Sequence, residues 1–379
     1  MKVLMFHSFG NSESGWLQNW LSTSRVHFEY FCRYIADNHI PTLFLDEWYD
    51  LQNNPERSKG NEIVMTFDDG YLDNLTVAYP ILKKYGLKAT IFVNPEFVSL
   101  TSGIRIKRDY PDLSAKDKDE LGFLNWDEIK FLDSTEYIDI QSHSMTHSFY
   151  FCENVVNDIY EGKREQYWMS WIAQPEKKTF WMVEDQRDFV PYGTPMFKEY
   201  RALGLRRYFP DPVLNEKVVE LYNKAHLNRD ELIQRANELL KKYPGCFESD
   251  EEMEERFRYE LCESKRILEG KLNKKVDFLC WPGGGYNDVS LRIAEETGYL
   301  ASTIASRERH RLLDNTKTYK RIQRFGMGSV AFNYKGTPYI SKDKKFLVNS
   351  YKYVNGCLTR KIAFYYHRIF SKVYEMFFK

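Results

Sequence analysis

The chain has 379 residues, enough for one large catalytic unit that carries insertions or a tail. Lys plus Arg and Asp plus Glu stand at 54 each, so no global field calls for nucleic acid or an acidic polymer, and any charge argument must be local. Six cysteines (Cys32, Cys152, Cys246, Cys262, Cys280, Cys357) lie scattered without a CxxC pair, which fits reduced cytosolic thiols better than a stapled secreted domain. The opening "MKVLMFHSFG" is too poor in apolar residues for a signal-peptide core, and no run of about 18 uncharged apolar residues occurs. The expected location is therefore cytoplasmic.

In chain order, "KVLMF" (2–6), "PTLFL" (41–45), "EIVMTF" (62–67) and "KATIFV" (88–93) are short apolar runs followed by turn or polar residues, and each predicts a buried strand. Helical patterns lie between them at 26–38, after Ser22 to Ser24, and at 78–87, stopped by Gly86. Strand alternating with helix is the rhythm of an α/β sheet or barrel. "YIDIQSHS" (137–144) continues the series, and "VDFLCWPGGGYND" (276–288) and "YLASTIA" (299–305) resume it after a gap. That gap is first aromatic and irregular, then helical over 216–243 and 250–270, so 149–270 reads as an insertion. The tail, 331–379, holds ten Lys or Arg against two acidic residues, and Leu358, Ile362, Tyr365, Ile369, Val373 and Phe377 make one apolar helix face.

Three segments carry chemistry. "TFDDG" (66–70) ends a strand with Asp68 and Asp69, and ligands of α/β folds gather at the carboxyl ends of strands. Neighbouring strand side chains point to opposite faces, so both carboxylates reach one site only if the backbone turns there, which Gly70 permits. A DG turn whose aspartate caps the next helix explains the same letters. In "HSMTH" (143–147), His143 and His147 are four apart and share one face if the segment winds into a helical turn, close enough to share a metal ion. Two imidazoles with one carboxylate suit Zn²⁺ or another divalent ion, and the second carboxylate could then take a proton from water. In "CWPGGGYN" (280–287), the three glycines after Pro282, beginning with Gly283 and Gly284, would let backbone approach a ligand and offer their N–H groups to an oxyanion, or form a loop that merely needs positive φ.

Together these motifs resemble the polysaccharide deacetylases of carbohydrate esterase family four, the NodB-type homology domain: "TFDDG" is similar to its first motif, "HSMTH" to its second and "WPGGG" to a variant of its third. The resemblance covers roughly 1–148 and 271–330 and implies a deformed (β/α) barrel. With it go a mainly helical insertion at 149–270 and a basic amphipathic C-terminal helix in 331–379. It implies a metal-dependent hydrolase of C–N amide bonds, not peptide bonds, that removes N-acetyl groups from an amino sugar of a glycan or lipid-linked precursor, such as a cell-envelope glycan. On that resemblance Asp68 is the base that takes a proton from metal-activated water, and Asp69, His143 and His147 are ligands of one divalent ion, Zn²⁺ first, then Co²⁺, Ni²⁺ or Mn²⁺. "LMFHSFG" (4–10) is similar to the branch acting on poly-N-acetylglucosamine, whose motif order is circularly permuted, and there His7 becomes the acid for the leaving amine. The third motif departs from the family: the arginine that pairs with the base aspartate is missing near Cys280.

Trp281, Tyr286, Arg206 and Arg207 are candidate substrate contacts, and Tyr167, Trp168, Trp171, Trp181, Tyr192 and Phe197 form either a sugar-stacking wall or the insertion's own core. The basic tail suggests peripheral contact with the inner face of a membrane, or a helix docked on the barrel. Two further readings stay open: an amidohydrolase of a small cyclic or linear amide, and a non-catalytic glycan-binding relative that kept the metal pocket.

Overall fold

The computed structural model describes residues 1–11, 16, 18–105, 121–225, 227–304, 320–332, 338–357 and 359. Seven parallel strands close a (β/α) barrel: β1 (Lys2–Phe6), β2 (Ile63–Phe67), β3 (Ala89–Val93), β4 (Ile138–Ser142), β5 (Phe278–Leu279), β6 (Ala301–Ile304) and β7 (Arg321–Gly326). The chain divides into two compact units, residues 1–93, 98–141 and 306–379 in one and 94–97 with 142–305 in the other.

In the first unit β1 pairs with both β2 and β7, the double pairing that a closed barrel requires of every strand. Every residue of β2 and β3 is buried, which is why both read as unbroken apolar runs rather than alternating ones. Of "PTLFL" only Thr42–Leu43 is strand, pairing with β2 outside the ring, and Leu45–Asn53 is already helix. The helix Arg25–Asp37 buries Phe28, Phe31, Cys32 and Ile35, and Phe28 meets Phe6 and Phe9 with ring centroids 5.6 and 4.4 Å apart. Gly86, at φ 64°, ends the helix Tyr79–Tyr85 in the left-handed conformation that an L side chain resists.

The helix Phe346–Val354 lies on Arg25–Asp37 through Tyr351, whose ring is 5.8 Å from Phe31 and 6.3 Å from Tyr34. This stretch of the tail is docked on its own unit. The apolar face from Leu358 to Phe377, and with it the membrane expectation, lies outside the described residues. Among the described residues no helix is long and apolar enough to cross a membrane.

In the second unit, Phe149–Ile159 pairs antiparallel with Pro195–Arg201, a hairpin that no alternating pattern announces, and between its strands run short helical turns. The helices Pro212–Lys224, Arg229–Leu240, Asp250–Arg258 and Ser264–Leu272 come after it; Asn228 and Ser249 start two of them with capping boxes. Trp168, Trp171, Trp181 and Phe197 are buried, and Trp171 stands edge-on to Trp181 at 5.4 Å, so these rings are the core of the insertion. Of the rings in the candidate wall, Tyr192 is the exposed one.

Candidate active site

In the first unit, parallel pairing sets Phe6 opposite Phe67, and the ladder runs one residue further, Asp68 N–H donating to the Phe6 carbonyl at 3.0 Å. The next residues on the two strands are His7 and Asp68. Register therefore brings them together: His7 Nε2 is 3.8 Å from Asp68 Oδ2, with His7 about one-fifth exposed and Asp68 buried. That is too long for a direct hydrogen bond and close enough for both to serve one bound group.

Thr66 and Asp68 share a face of β2 by the two-residue period, and Arg324 of β7 reaches both. Its guanidinium donates from Nη1 to Asp68 Oδ1 at 2.5 Å and from Nη2 to Oδ2 at 2.8 Å, a two-pronged grip between side chains 7% and 5% exposed. The arginine that is missing near Cys280 is thus supplied from a different strand. Its signal in the sequence is "RIQRFG", where Ile322 and Arg324 alternate on the buried face and an inward arginine needs a carboxylate.

The strand ends where both Asp69 (φ 74°) and Gly70 (φ 69°) turn left-handed. Aspartate tolerates that region better than most residues, and an added Cβ on Gly70 would press on Val93 at 3.3 Å. The turn separates the two carboxylates: Asp68 stays on the face of β2 that Arg324 reaches, and Asp69 leaves the strand alternation.

Four residues on, Asp73 is buried and accepts from the Ser8 hydroxyl, from Asn11 Nδ2 at 2.9 Å and from Asn74 Nδ2 at 3.2 Å; Asn74 Nδ2 also donates to the His7 carbonyl at 2.8 Å. This network, unweighed in the sequence although "YLDN" stands beside "DDG", ties the loop after β1 to the turn after β2. Burial, partly offset by those donors, pushes the Asp73 carboxyl up to about 7 from 3.8. Between those values the folded chain holds more protons at Asp73 than the unfolded chain does. The contribution to stability is thus full below about 3.8 and is lost as pH rises through about 7. Asp73→Asn should remove this dependence: the wild-type minus variant difference in denaturant midpoint falls from pH 4 to 8, and a flat difference contradicts the assignment.

In the second unit, His143 and His147 face each other with ring centroids 5.1 Å apart. They do not do so on a helical turn: Ser144 (φ 61°) and His147 (φ 51°) are left-handed and the segment is a loop, so spacing found the pair but not its geometry. The loop is pinned from inside. Glu260, in a π-helical turn at Tyr259–Glu263, accepts from the N–H groups of Met145 (3.1 Å) and Thr146 (3.0 Å) and from the Thr146 hydroxyl, while Asn94 donates to the His143 carbonyl. Burial raises the Glu260 carboxyl. Lys178, also buried, donates to the Thr146 carbonyl at 3.0 Å and pairs with Glu96 at 2.6 Å. Nothing marks Glu260 among the acidic residues around it in the sequence.

His143 Nδ1 lies 2.8 Å from the Cys280 carbonyl, which can only accept, so Nδ1 carries a proton and, in the neutral ring, Nε2 holds the lone pair. That tautomer is the one a metal-ligating histidine has, and a carbonyl partner of this kind fixes its ring. The donor types fit a divalent ion.

In the glycine loop, Gly284 and Gly285 N–H groups donate to the carbonyls of Trp281 (2.9 Å) and Pro282 (3.1 Å), while Gly283 sits at φ 54°. A Cβ on Gly283 or Gly285 would collide with Arg201, so the space these glycines leave is filled by an arginine of the same chain. Trp281 is buried and stacked on Tyr286 at 5.2 Å. Arg206 is exposed and pairs with Asp250, and Arg207 lies over the rings of Tyr150 and Phe209.

A parallel barrel carrying a clamped carboxylate beside a histidine, and a rigid two-imidazole loop, defines a class of barrel proteins equipped for hydrolytic chemistry. The chain belongs to the polysaccharide deacetylase family, whose family model matches residues 56–181 and 237–302. It is 37% identical over 93 residues to YxkH of Bacillus subtilis (strain 168), a match covering 24% of this chain and 31% of YxkH. A de-N-acetylase of Aggregatibacter actinomycetemcomitans shares the fold at TM-score 0.53 and 16% identity, over 86% of this chain and 93% of that one. The BpsB deacetylase domain of Bordetella bronchiseptica matches at TM-score 0.50 and 15% identity, over 86% and 95%. At such identities the two solved structures speak for the fold alone.

Proposed function

We propose that the protein is a metal-dependent hydrolase that removes N-acetyl groups from an amino sugar of a glycan or glycan precursor. Membership of the deacetylase family supports the reaction class, and one observation carries the assignment of its base: the two-pronged Arg324 grip on Asp68, 3.8 Å from His7. The clamp gives Asp68 the oriented partner that the third motif lacks near Cys280.

Asp69, His143 and His147 are the proposed ligands of one divalent ion, with Zn²⁺ suited to two imidazoles and a carboxylate. Bound there, such an ion lowers the pKa of water toward 7 and polarises a carbonyl. Asp68, fixed by both prongs, accepts the proton of the attacking water; the Gly283 N–H is the backbone donor proposed for the oxyanion, since the N–H groups of Gly284 and Gly285 are engaged within the loop. His7 protonates the leaving amine, a role that fits its partial exposure beside the base.

His143→Ala should fail to retain the equivalent of Zn²⁺ that wild type holds after dialysis, as measured by elemental analysis. His7→Ala should retain it and lose about 10²-fold or more of acetate release from N-acetylglucosamine oligomers. Full turnover by His7→Ala would remove the acid assignment, and full zinc retention by His143→Ala the ligand assignment. No acetate from zinc-loaded wild type on any N-acetylated sugar would count against the reaction itself.

A further inference from the structure

The insertion contains a cavity of about 410 Å³ that the deacetylase reading does not use. Its walls are apolar, among them Met169, Ile172, Val190, Pro191, Tyr208 and Val219, and all lie in the second unit. The volume is in the range of sites that take small organic molecules. Two polar features face this apolar lining.

One is Arg207. Its guanidinium lies between two rings, 4.0 Å from the centre of Tyr150 and 4.5 Å from that of Phe209. Among the described residues no carboxylate stands within ion-pair distance of it: Arg206 takes Asp250, and Glu248, the acidic side chain beside it, is gripped by Arg256 at 2.6 and 2.9 Å. Glu248 instead fixes the backbone of Arg207, accepting its N–H at 2.7 Å while donating its own N–H to the Arg207 carbonyl at 2.9 Å. Burial lowers the pKa of the guanidinium. A half-buried cation with ring neighbours and, among the described residues, no carboxylate in ion-pair reach is costly, and an anion that reached it would gain both the charge pairing and the fork geometry. The second feature is Asn215, whose Oδ1 is buried without a hydrogen-bond donor and can accept from a hydroxyl or protonated oxygen. Glu216, the acidic side chain of the lining, is exposed, so repulsion from it is screened.

We propose that this cavity binds a single-chain anionic amphiphile, its apolar chain among Met169, Val190 and Val219 and its phosphate or carboxylate head on Arg207. An apolar wall with one cation selects against both halves of the ligand offered separately: a bare anion leaves the wall wet, and a neutral chain leaves the cation unpaired. The site stands whether or not the chain is a deacetylase.

Titration calorimetry of the full chain with octyl phosphate, octanoate, 1-octanol and inorganic phosphate tests it. Octyl phosphate or octanoate should bind saturably at one site, the tighter of the two marking the lipid phosphate or the fatty acid as the source. 1-Octanol and inorganic phosphate should each be weaker by about tenfold or more. Arg207→Met should cost the anion about tenfold and leave 1-octanol unchanged, whereas Val219→Trp, which fills the cavity, should abolish both; thermal denaturation of each variant confirms that it is folded. No saturable binding of either amphiphile, equal affinity for 1-octanol, equal affinity for inorganic phosphate, or an Arg207→Met variant that binds octyl phosphate as wild type does would each overturn the proposal.

Discussion

Asp68→Asn is expected to reduce acetate release by about 10²- to 10⁴-fold, the range that a positioned general base contributes, with the bound divalent ion retained. The amide keeps the shape of the carboxylate and gives up its basicity. It also gives up its charge, so Arg324, 7% exposed, loses its counter-ion and the variant should unfold at lower temperature. Activity therefore has to be compared where circular dichroism shows both proteins folded. An Asp68→Asn enzyme with wild-type turnover would mean that another group takes the proton.

Arg324→Met should destabilise the chain by about 3–5 kcal/mol, the cost of leaving one member of a buried pair uncompensated, and should also lower turnover because Asp68 loses both prongs. The double variant Asp68→Asn/Arg324→Met separates the two effects. With neither charge buried it should recover part of the stability that Arg324→Met loses, and none of the activity. Arg324→Lys keeps a cation but not the planar fork, so it should restore more stability than turnover. If Arg324→Met denatures at the wild-type denaturant concentration, the clamp contributes nothing to the fold.

The clamp also shows how much was legible in the sequence. β2 and β3 were readable as unbroken apolar runs because every residue of these parallel strands is buried, whereas β1 and β4, each with partly exposed positions, were readable from their short apolar residues before a polar turn. Asp68 and His7 were readable as strand ends, since the residues just past a buried barrel strand face the ligand side. Their mutual approach was not, because it depends on the register Phe6 to Phe67, which no local pattern states. Arg324 was missed for the same reason: it is 256 residues from its partner, on a strand whose alternation is only six residues long. At 143–147 the residue types were informative and the implied helical turn was not, since Glu260 and Asn94 hold a left-handed loop that spacing rules do not foresee. The aromatic richness of 163–197 reflects the core of an insertion that has to bury its own hairpin, which a sequence with no visible pairing partner leaves ambiguous.

Hydrolytic de-N-acetylation with Asp68 as base is best tested by incubating the zinc-loaded full chain with N-acetylglucosamine oligomers in ¹⁸O-labelled water and counting acetate and new primary amines by mass spectrometry. The expected products are acetate and amine in equal amounts, with one solvent oxygen in each acetate, and both should be lost in Asp68→Asn. Absence of acetate and amine with the metal-loaded wild type, or their undiminished appearance with Asp68→Asn, would refute the assignment.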